Sequence, residues 1–185
     1  MKKALNAWSC NKEHDFETVF STLKKAGFDG VELNLDAKEN ASAHSLTFDM
    51  SDDDLKAILG LSRKYDLPIA SISTSMYGND TLGSEDPAQR ALGCKVLEKQ
   101  LYYAQALNAD GILVVPGGIQ ENCSIRKAWK NSMETLRGMR SVIEQTPVIV
   151  GLENVWNMAG KEEKGGESAP LQPEEMIRGF CRSLS

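Results

Sequence analysis

A carboxylate and an amide follow a short apolar stretch near residue 150. Residues 148–151 are apolar or small and are preceded by Pro147, a pattern typical of a fully buried strand in a parallel sheet. Glu153 and Asn154 come where that strand ends. The carboxyl ends of parallel strands face the ligand crevice in α/β proteins, so we expect Glu153, together with Asn154, to point into a site. A solvated acid at a strand end is the alternative, and the spacing alone favours neither.

Two side chains on earlier strands are further candidates for the lining of a pocket. Trp8 ends the first predicted strand, where an aromatic ring forms either a pocket wall or plain core. Glu32 lies within the second predicted strand, in a sheet whose two faces are both covered. Its carboxylate must therefore either turn toward the pocket or pair with a cation, and we expect it to turn toward the pocket.

The loops offer weaker candidates. Tyr77 is placed to cover a ligand, although most loop tyrosines only pack. Gly117 and Gly118 follow the fourth strand, where backbone N–H groups can meet a phosphate, but the pair has neither P-loop nor GxGxxG spacing and favours a structural turn. His14 precedes a helix and is expected to be solvated or to cap it, and His44 lies in a polar loop without an assigned role.

Length and composition limit the class of protein. The chain has 185 residues, of which 41% are hydrophobic and 25% charged, which is ordinary for a single soluble globular domain. A net charge of -5 argues against a nucleic-acid partner, because such proteins usually carry a basic surface. With two histidines in the chain, a histidine-rich zinc site is excluded, so a metal would be held chiefly by oxygen ligands.

The sequence also predicts the compartment. The N-terminal segment turns polar by Ser9, too early for a signal peptide, and no apolar run is long enough to cross a membrane. The four cysteines are widely spaced and form no CxxC pair, which favours reduced thiols. We therefore expect a cytoplasmic protein without a membrane partner.

A strand-then-helix unit repeats along the chain. Strands are predicted at 3–9, 30–35, 68–74, 111–115 and 148–151, and helices at 15–26, 51–64, 87–108 and 124–145. The strands are too apolar to have a solvated face, so we predict an α/β protein with a parallel sheet covered by helices. A doubly wound sheet of five strands fits the length best, whereas a (β/α)8 barrel typically needs about 250 residues.

Four stretches in order point to the barrel instead. They are the first strand with its Trp8, GFDGVELN at 27–34, NADGILVVPGG at 108–118 and GLENVWN at 151–157. Together they resemble the sugar phosphate isomerase/epimerase family, the xylose isomerase-like barrels that include hydroxypyruvate isomerase and the ketose 3-epimerases. The resemblance covers about residues 3–157 and implies a partial (β/α)8-type TIM barrel of about five βα units.

The resemblance also implies a chemistry. Family members hold one divalent metal, Mn²⁺, Mg²⁺ or Co²⁺, through a Glu after strand five and an Asp, a His and a second Glu after strands six to eight. The two glutamates also move the substrate proton. Glu153 matches the first position, as metal ligand and catalytic group, whereas Trp8, Glu32 and Asn154 would contact the sugar. The sequence ends at Ser185, before counterparts of the other three ligands.

We therefore expect residues 1–185 to be one incomplete barrel domain, with 158–172 as a flexible loop. The predicted function is that of a sugar or sugar-phosphate isomerase/epimerase, of which this chain is an N-terminal portion. The alternative is a non-catalytic remnant or binding unit that needs a C-terminal partner or a second copy. An endonuclease IV-type nuclease shares the fold, but two histidines and a net charge of -5 count against it.

Overall fold

Five parallel strands form one sheet in the order of the sequence. The structure, a computed structural model, describes residues 1–78, 82–117 and 124–153. The strands are β1 (Ala4–Asn6), β2 (Gly30–Leu35), β3 (Ile69–Thr74), β4 (Gly111–Val114) and β5 (Ile149–Leu152). The helices are α1 (Phe16–Lys25), α2 (Asp52–Lys64), α3 (Pro87–Ala106), α4 (Ile125–Gly138) and α5 (Arg140–Glu144). None of the helices in these ranges is long and apolar enough to cross a membrane.

The strand order decides between the two architectures. A doubly wound sheet reverses its strand order at a switch point, whereas a (β/α)8 barrel adds each strand beside the previous one. The observed order is β1-β2-β3-β4-β5, and every neighbouring pair is parallel. The prediction of a partial barrel of about five βα units is confirmed, and the length-based preference for a doubly wound sheet is wrong.

Local sequence fixes where the helices begin. The carboxylate of Asp15 accepts the Thr18 N–H at 2.8 Å and caps α1. Ser51 and Asp54 form a capping box at the start of α2, as the predicted N-cap requires. Pro87 occupies the first turn of α3 behind its cap, Asp86, where a missing N–H costs nothing.

The two faces of the sheet differ in polarity. Val31, Leu33 and Leu35 alternate along β2 and are buried in the hydrophobic core with the apolar residues of the helices. The opposite, inner face carries polar side chains, namely Asn6, Glu32, Asn34, Ser71 and Ser73. The prediction that the strands are too apolar to be polar on one face is therefore wrong for β2 and β3, whose inward-facing residues are polar, whereas Leu113 and Ile149 keep the inner face of β4 and β5 apolar.

Two predicted elements differ from the observed ones. The first strand stops at Asn6, and Trp8 lies in a 3-10 turn, Ala7–Ser9, because the Asn6 side chain accepts the Trp8 N–H at 2.9 Å. The helix predicted at 124–145 is interrupted at Met139, directly after Gly138, a weak helix former.

Candidate functional site

A row of inward-facing residues crosses the sheet at the level of Glu32. Residues paired in register across the five strands are Asn6, Glu32, Ser71, Gly111 and Ile149. The Glu32 carboxylate accepts the Asn6 side-chain amide at 2.6 Å and the Ser71 hydroxyl at 2.5 Å. Glu32 therefore turns inward as predicted, and neutral donors on both neighbouring strands bind it rather than a cation.

A second pair of polar residues lies two positions further along β2 and β3. Asn34 donates its amide to Ser73 at 2.6 Å and to the Asn6 side-chain oxygen at 3.2 Å. Asn34 is 1% exposed, and its Oδ1 is the one buried side-chain polar atom without a hydrogen-bond partner among the described residues. These residues tie β1, β2 and β3 together through side chains inside the curved sheet.

The carboxyl ends of β1 and β2 are joined by Trp8 and Asp36. The Trp8 indole N–H lies 3.2 Å from each oxygen of the Asp36 carboxylate. Asp36 is only 4% exposed, and the Ser45 hydroxyl donates to it at 2.6 Å. Trp8 as a whole is nevertheless 46% exposed. Trp8 is therefore a partly open aromatic surface at the end of the sheet where barrels bind ligands.

The loop between β2 and α2 closes over the segment that holds Trp8. Its His44 is 1% exposed, and the two ring nitrogens lie 2.8 Å from the His14 carbonyl oxygen and 3.0 Å from that of Ala7. Leu46 bridges to Leu35 in parallel, continuing the sheet beyond the end of β1. His44, which has no assigned role in the sequence analysis, thus fixes the two loops to one another.

Glu153 lies at the end of β5 with an exposed side chain. Its backbone N–H donates to the Val114 carbonyl at 2.9 Å, which continues the β4–β5 ladder by one bond. Ile149 is the β5 residue in register with Glu32, and Glu153 comes four residues later. Four residues of extended strand span roughly 13 Å, so Glu153 lies about that far along the sheet from the level of Glu32. Asn154 and the segment 158–172 lie outside the described residues.

A cavity of about 300 Å³ opens on the inner face of the sheet. Its lining includes the polar Glu32 and Ser71 on β2 and β3, together with the apolar residues Leu113, Ile149 and Gly151 on β4 and β5. Glu153 is not among its lining residues. Of the predicted site residues, Glu32 therefore lines this cavity on the inner face of the sheet. Trp8 and Glu153 instead lie beyond the carboxyl ends of β1 and β5.

The described parts of the loops after β3 and β4 are packed tightly at Tyr77, Gly83 and Gly117. A Cβ on Gly117 would lie 2.7 Å from the Ser132 hydroxyl and 3.3 Å from the Gly83 Cα. The Tyr77 side chain is 2% exposed and donates to Gln100 at 2.7 Å, and burial raises its pKa well above the usual range. Gly117 and Tyr77 thus serve packing, which is the alternative that the sequence favours over contact with a ligand. Gly118 lies outside the described residues.

The described residues do not form a metal site by themselves. No group of three or more His, Cys, Asp or Glu side chains comes together within residues 1–78, 82–117 and 124–153. Burial raises the pKa of the Cys10 thiol, just after Trp8, so this thiol is protonated at neutral pH. Glu153 is therefore the one predicted metal ligand that the described part of the chain supplies.

The structure brings together residues that the sequence does not single out. Asp36 and Asn6 are the partners of Trp8 and Glu32, and neither was a predicted site residue. Asp36 follows β2 directly, as Glu153 follows β5, so the rule that picked out Glu153 applies equally to Asp36. Asn6 could be found only through its register with Glu32.

The fold and the placement of these side chains define a class of protein, an α/β barrel whose polar groups gather inside the sheet and at its carboxyl end. The family model described as the xylose isomerase-like TIM barrel matches residues 20–170. The chain belongs to this family. A search of curated proteins found no significant match.

Several solved structures of sugar epimerases share this fold. D-psicose 3-epimerase of Clostridium cellulolyticum H10, solved with D-tagatose, is 17% identical with a TM-score of 0.75 over 100% of this chain and 60% of its own. D-allulose 3-epimerase of a Methylomonas species is 16% identical with a TM-score of 0.68, over 100% and 59%. An L-ribulose 3-epimerase is 20% identical with a TM-score of 0.70, over 100% and 57%. The chain thus spans about 60% of the length of these epimerases.

Proposed function

We propose that this chain takes part in the isomerisation or epimerisation of a sugar or sugar phosphate, with Glu153 as the carboxylate that moves the substrate proton. The observation that carries the proposal is the exposed side chain of Glu153 at the carboxyl end of β5. Ligands of β/α barrels bind at that end of the strands. Membership of the xylose isomerase-like family and the fold shared with ketose 3-epimerases support a sugar as the substrate.

The chemistry needs a carboxylate beside a carbon-bound proton. Interconverting ketoses, or a ketose and an aldose, begins with removal of a proton from a carbon next to a carbonyl group, which leaves an enediolate. A positioned Glu is a competent general base for that step and returns the proton as general acid. The ladder bond from Glu153 to Val114 fixes the backbone of Glu153 relative to the sheet, so that its side chain starts from a defined position.

The proposed cofactor is a divalent metal, Mn²⁺, Mg²⁺ or Co²⁺, with Glu153 as one ligand. Such an ion would polarise the substrate carbonyl when bound. Hard cations draw on several oxygen ligands, and the described residues bring no group of three or more His, Cys, Asp or Glu side chains together. These residues alone do not fit the metal, so the proton-transfer role is argued for Glu153 without it.

The remaining proposed contacts concern substrate binding. Trp8 offers a partly exposed ring at the end of β1, and Glu32 lines the interior cavity. We assign Trp8 to the apolar face of the sugar and Glu32 to its hydroxyl groups, with Asn154 beside Glu153 as a further polar contact. Aromatic and carboxylate groups are the usual partners of these two parts of a sugar.

Proton exchange tests the role of Glu153. The purified chain is incubated with Mn²⁺ and D-psicose, D-tagatose or L-ribulose in D₂O, and loss of the C3–H signal is followed by NMR. We expect exchange with the wild-type chain and a loss of at least about 100-fold in Glu153→Gln, because general base catalysis contributes about 10² to 10⁴. Glu39→Gln, which alters an exposed acid of the β2–α2 loop, is the matched control. Equal exchange in both variants would overturn the role.

Metal binding is tested separately by calorimetric titration with Mn²⁺. Binding that disappears in Glu153→Gln and persists in Glu39→Gln supports Glu153 as a ligand. Mn²⁺ binding unaffected by the Glu153 substitution would overturn that assignment.

A second candidate function is a binding unit that requires a partner, either a second copy or a C-terminal piece. It is favoured because β1 and β5 each pair with one strand within the described part of the chain, and open sheet edges template further pairing. Light scattering and chemical unfolding test this candidate. A monodisperse monomer that unfolds cooperatively and exchanges ketose protons would count against it.

A further inference from the structure

Trp8 is held in place from three directions. Its backbone N–H donates to Asn6, its indole N–H donates to Asp36, and the carbonyl of the preceding Ala7 lies 3.0 Å from a His44 ring nitrogen. His44 and Ser45 are consecutive, so one short stretch of the β2–α2 loop binds both the backbone before Trp8 and the carboxylate that binds its ring. These contacts fix both the backbone and the ring of Trp8 at the carboxyl end of β1.

The burial of Asp36 is the second observation. The carboxylate is 4% exposed, and removing such a group from water costs several kcal/mol unless hydrogen bonds offset it. Among the described residues, its side-chain hydrogen-bond donors are Trp8 and Ser45. The indole N–H lies 3.2 Å from both oxygens of the Asp36 carboxylate. If the ring rotated away, the Ser45 hydroxyl would be the remaining side-chain donor to this carboxylate among the described residues.

The chemistry of the exposed part of Trp8 indicates its ligand. The indole N–H is already bonded to Asp36, so the exposed half of the side chain offers carbon surface and no donor. The C–H face of a sugar ring stacks on such a surface, whereas a group that needs a hydrogen bond from the indole gains nothing there.

We propose that Asp36 is a positioning residue of the sugar site, which holds the Trp8 ring as a rigid wall against the C–H face of the substrate. This inference rests on the proposed function, because it takes a sugar as the ligand. Asp36 touches Trp8 and acts through it. A pre-oriented ring binds the sugar without a loss of side-chain freedom at the moment of binding.

The first test measures the ring without sugar. The ¹⁵N-labelled full chain gives indole N–H signals from its three tryptophans, and the signal lost in Trp8→Phe identifies Trp8. In Asp36→Asn we expect this signal to move upfield and its exchange with water to accelerate by at least about threefold, since a neutral acceptor binds the N–H more weakly. Asp49→Asn, an exposed acid of the same loop, should leave the signal unchanged. An unchanged Trp8 signal in Asp36→Asn would overturn the positioning role.

The second test uses D-fructose as the probe, with the diamagnetic Mg²⁺ present. We expect the sugar to shift the Trp8 signal saturably, and Asp36→Asn and Trp8→Ala each to raise KM roughly threefold to tenfold, as loss of a stacking contact implies. The kcat should change by less than about twofold, because the contact serves binding rather than proton transfer. Ser45→Ala retains the Asp36–Trp8 contact, so its KM should lie between the KM of Asp36→Asn and that of the wild-type chain.

The outcomes separate the two proposals. If Glu153→Gln abolishes proton exchange while Asp36→Asn leaves KM unchanged, the positioning role is overturned and the proposed function stands. If the wild-type chain neither binds nor exchanges any ketose, the sugar site is overturned together with the function. A loss of thermal stability in Asp36→Asn with unchanged KM would show that Asp36 serves only the fold.

Discussion

The side-chain amide of Asn6 donates to the carboxylate of Glu32 at 2.6 Å, across the register pair that joins β1 to β2. The other carboxylate oxygen accepts the Ser71 hydroxyl from β3 at 2.5 Å. Glu32 is therefore a hydrogen-bond acceptor toward both neighbouring strands. A donor group at position 32 would face the Asn6 amide or the Ser71 hydroxyl, which are themselves donors. The side chains of β1, β2 and β3 are thus linked by hydrogen bonds that require an acceptor at position 32 and donors at positions 6 and 71.

Exchanging donor and acceptor at this pair tests that pattern. Glu32→Gln should lower the free energy of unfolding by about 2 kcal/mol, since one buried donor loses its partner. Asn6→Asp should destabilise the protein further by placing two carboxylates against each other. The double variant restores one donor and one acceptor and should recover part of the loss. Urea unfolding of the four proteins measures the coupling, and strictly additive losses would contradict it.

Gln100 connects α3 to two strands where their pairing stops. Strands β3 and β4 pair at Ile72 and Ile112 but at no later position, and the Gln100 amide donates to the Ile72 carbonyl at 3.1 Å and to that of Leu113 at 3.2 Å. Its carbonyl oxygen accepts the Tyr77 hydroxyl. A completely buried glutamine therefore replaces the missing ladder bonds between the strands.

Gln100→Met keeps the volume of this side chain but removes its hydrogen bonds. We expect a loss of about 2 to 3 kcal/mol in the free energy of unfolding, because buried carbonyl groups and the Tyr77 hydroxyl lose a partner. Gln105→Met makes the same change on the exposed side of α3 and should stay within about 0.5 kcal/mol of wild type. Equal urea midpoints for the two variants would show that the buried amide contributes no stability.

Much of the fold follows from the spacing of apolar residues and from caps. The bounds of β2 are as predicted, and Ser51 and Pro87 occupy their predicted places at the starts of α2 and α3. These features depend on contacts within a few residues, which the sequence displays directly. The order of the strands followed from the resemblance rather than from length, because no local feature tells a strand which neighbour it will have.

The contacts around the candidate site depend on register, which the sequence does not display. Between Val31 and Glu32 the pairing with β3 shifts from Ile69 to Ser71, so Ala70 is an extra residue that brings Ser71 beside Glu32. Trp8 and Asp36 are in contact because each follows its strand, β1 or β2, at the carboxyl end of the sheet. The position of Glu153 at the end of β5 was predictable, since it depends only on where an apolar stretch stops.

Tyrosine ionisation should limit stability at alkaline pH. Burial raises the pKa of Tyr103 to about 12, against about 10 in the unfolded chain. Because the folded pKa is the higher one, its contribution to stability is complete below pH 10 and is lost as pH rises from about 10 to about 12. Tyr103→Phe should therefore show a shallower alkaline decline in the free energy of unfolding than wild type.

Tyrosinate absorbance provides the direct measurement. In the folded protein, Tyr77 and Tyr103 should titrate later than free tyrosine, since burial raises both pKa values. In urea all four tyrosines should titrate together near pH 10. Titration of all four near pH 10 in the folded protein would contradict the burial of these two phenols.

The close approach of Gly83 and Gly117 gives a test with a built-in rescue. A Cβ on Gly117 would lie 2.7 Å from the Ser132 hydroxyl oxygen, and its next neighbours, in Gly83, are at 3.3 Å or beyond. A Cβ on Gly83 would lie 2.6 Å from the same oxygen but also 2.9 Å from the Ala128 carbonyl, which is backbone of α4. Removing the hydroxyl therefore relieves the first clash and leaves part of the second.

We expect Gly117→Ala and Gly83→Ala each to lower the free energy of unfolding by about 1 to 3 kcal/mol, as overpacked sites do. Combined with Ser132→Ala, the Gly117 variant should recover most of its loss and the Gly83 variant only a smaller part. Gly60→Ala, at an open position of α2, should instead stabilise the protein by about 0.5 to 1 kcal/mol. Equal rescue of both variants would mean that α4 moves away from the β3–α3 loop more easily than its packing implies.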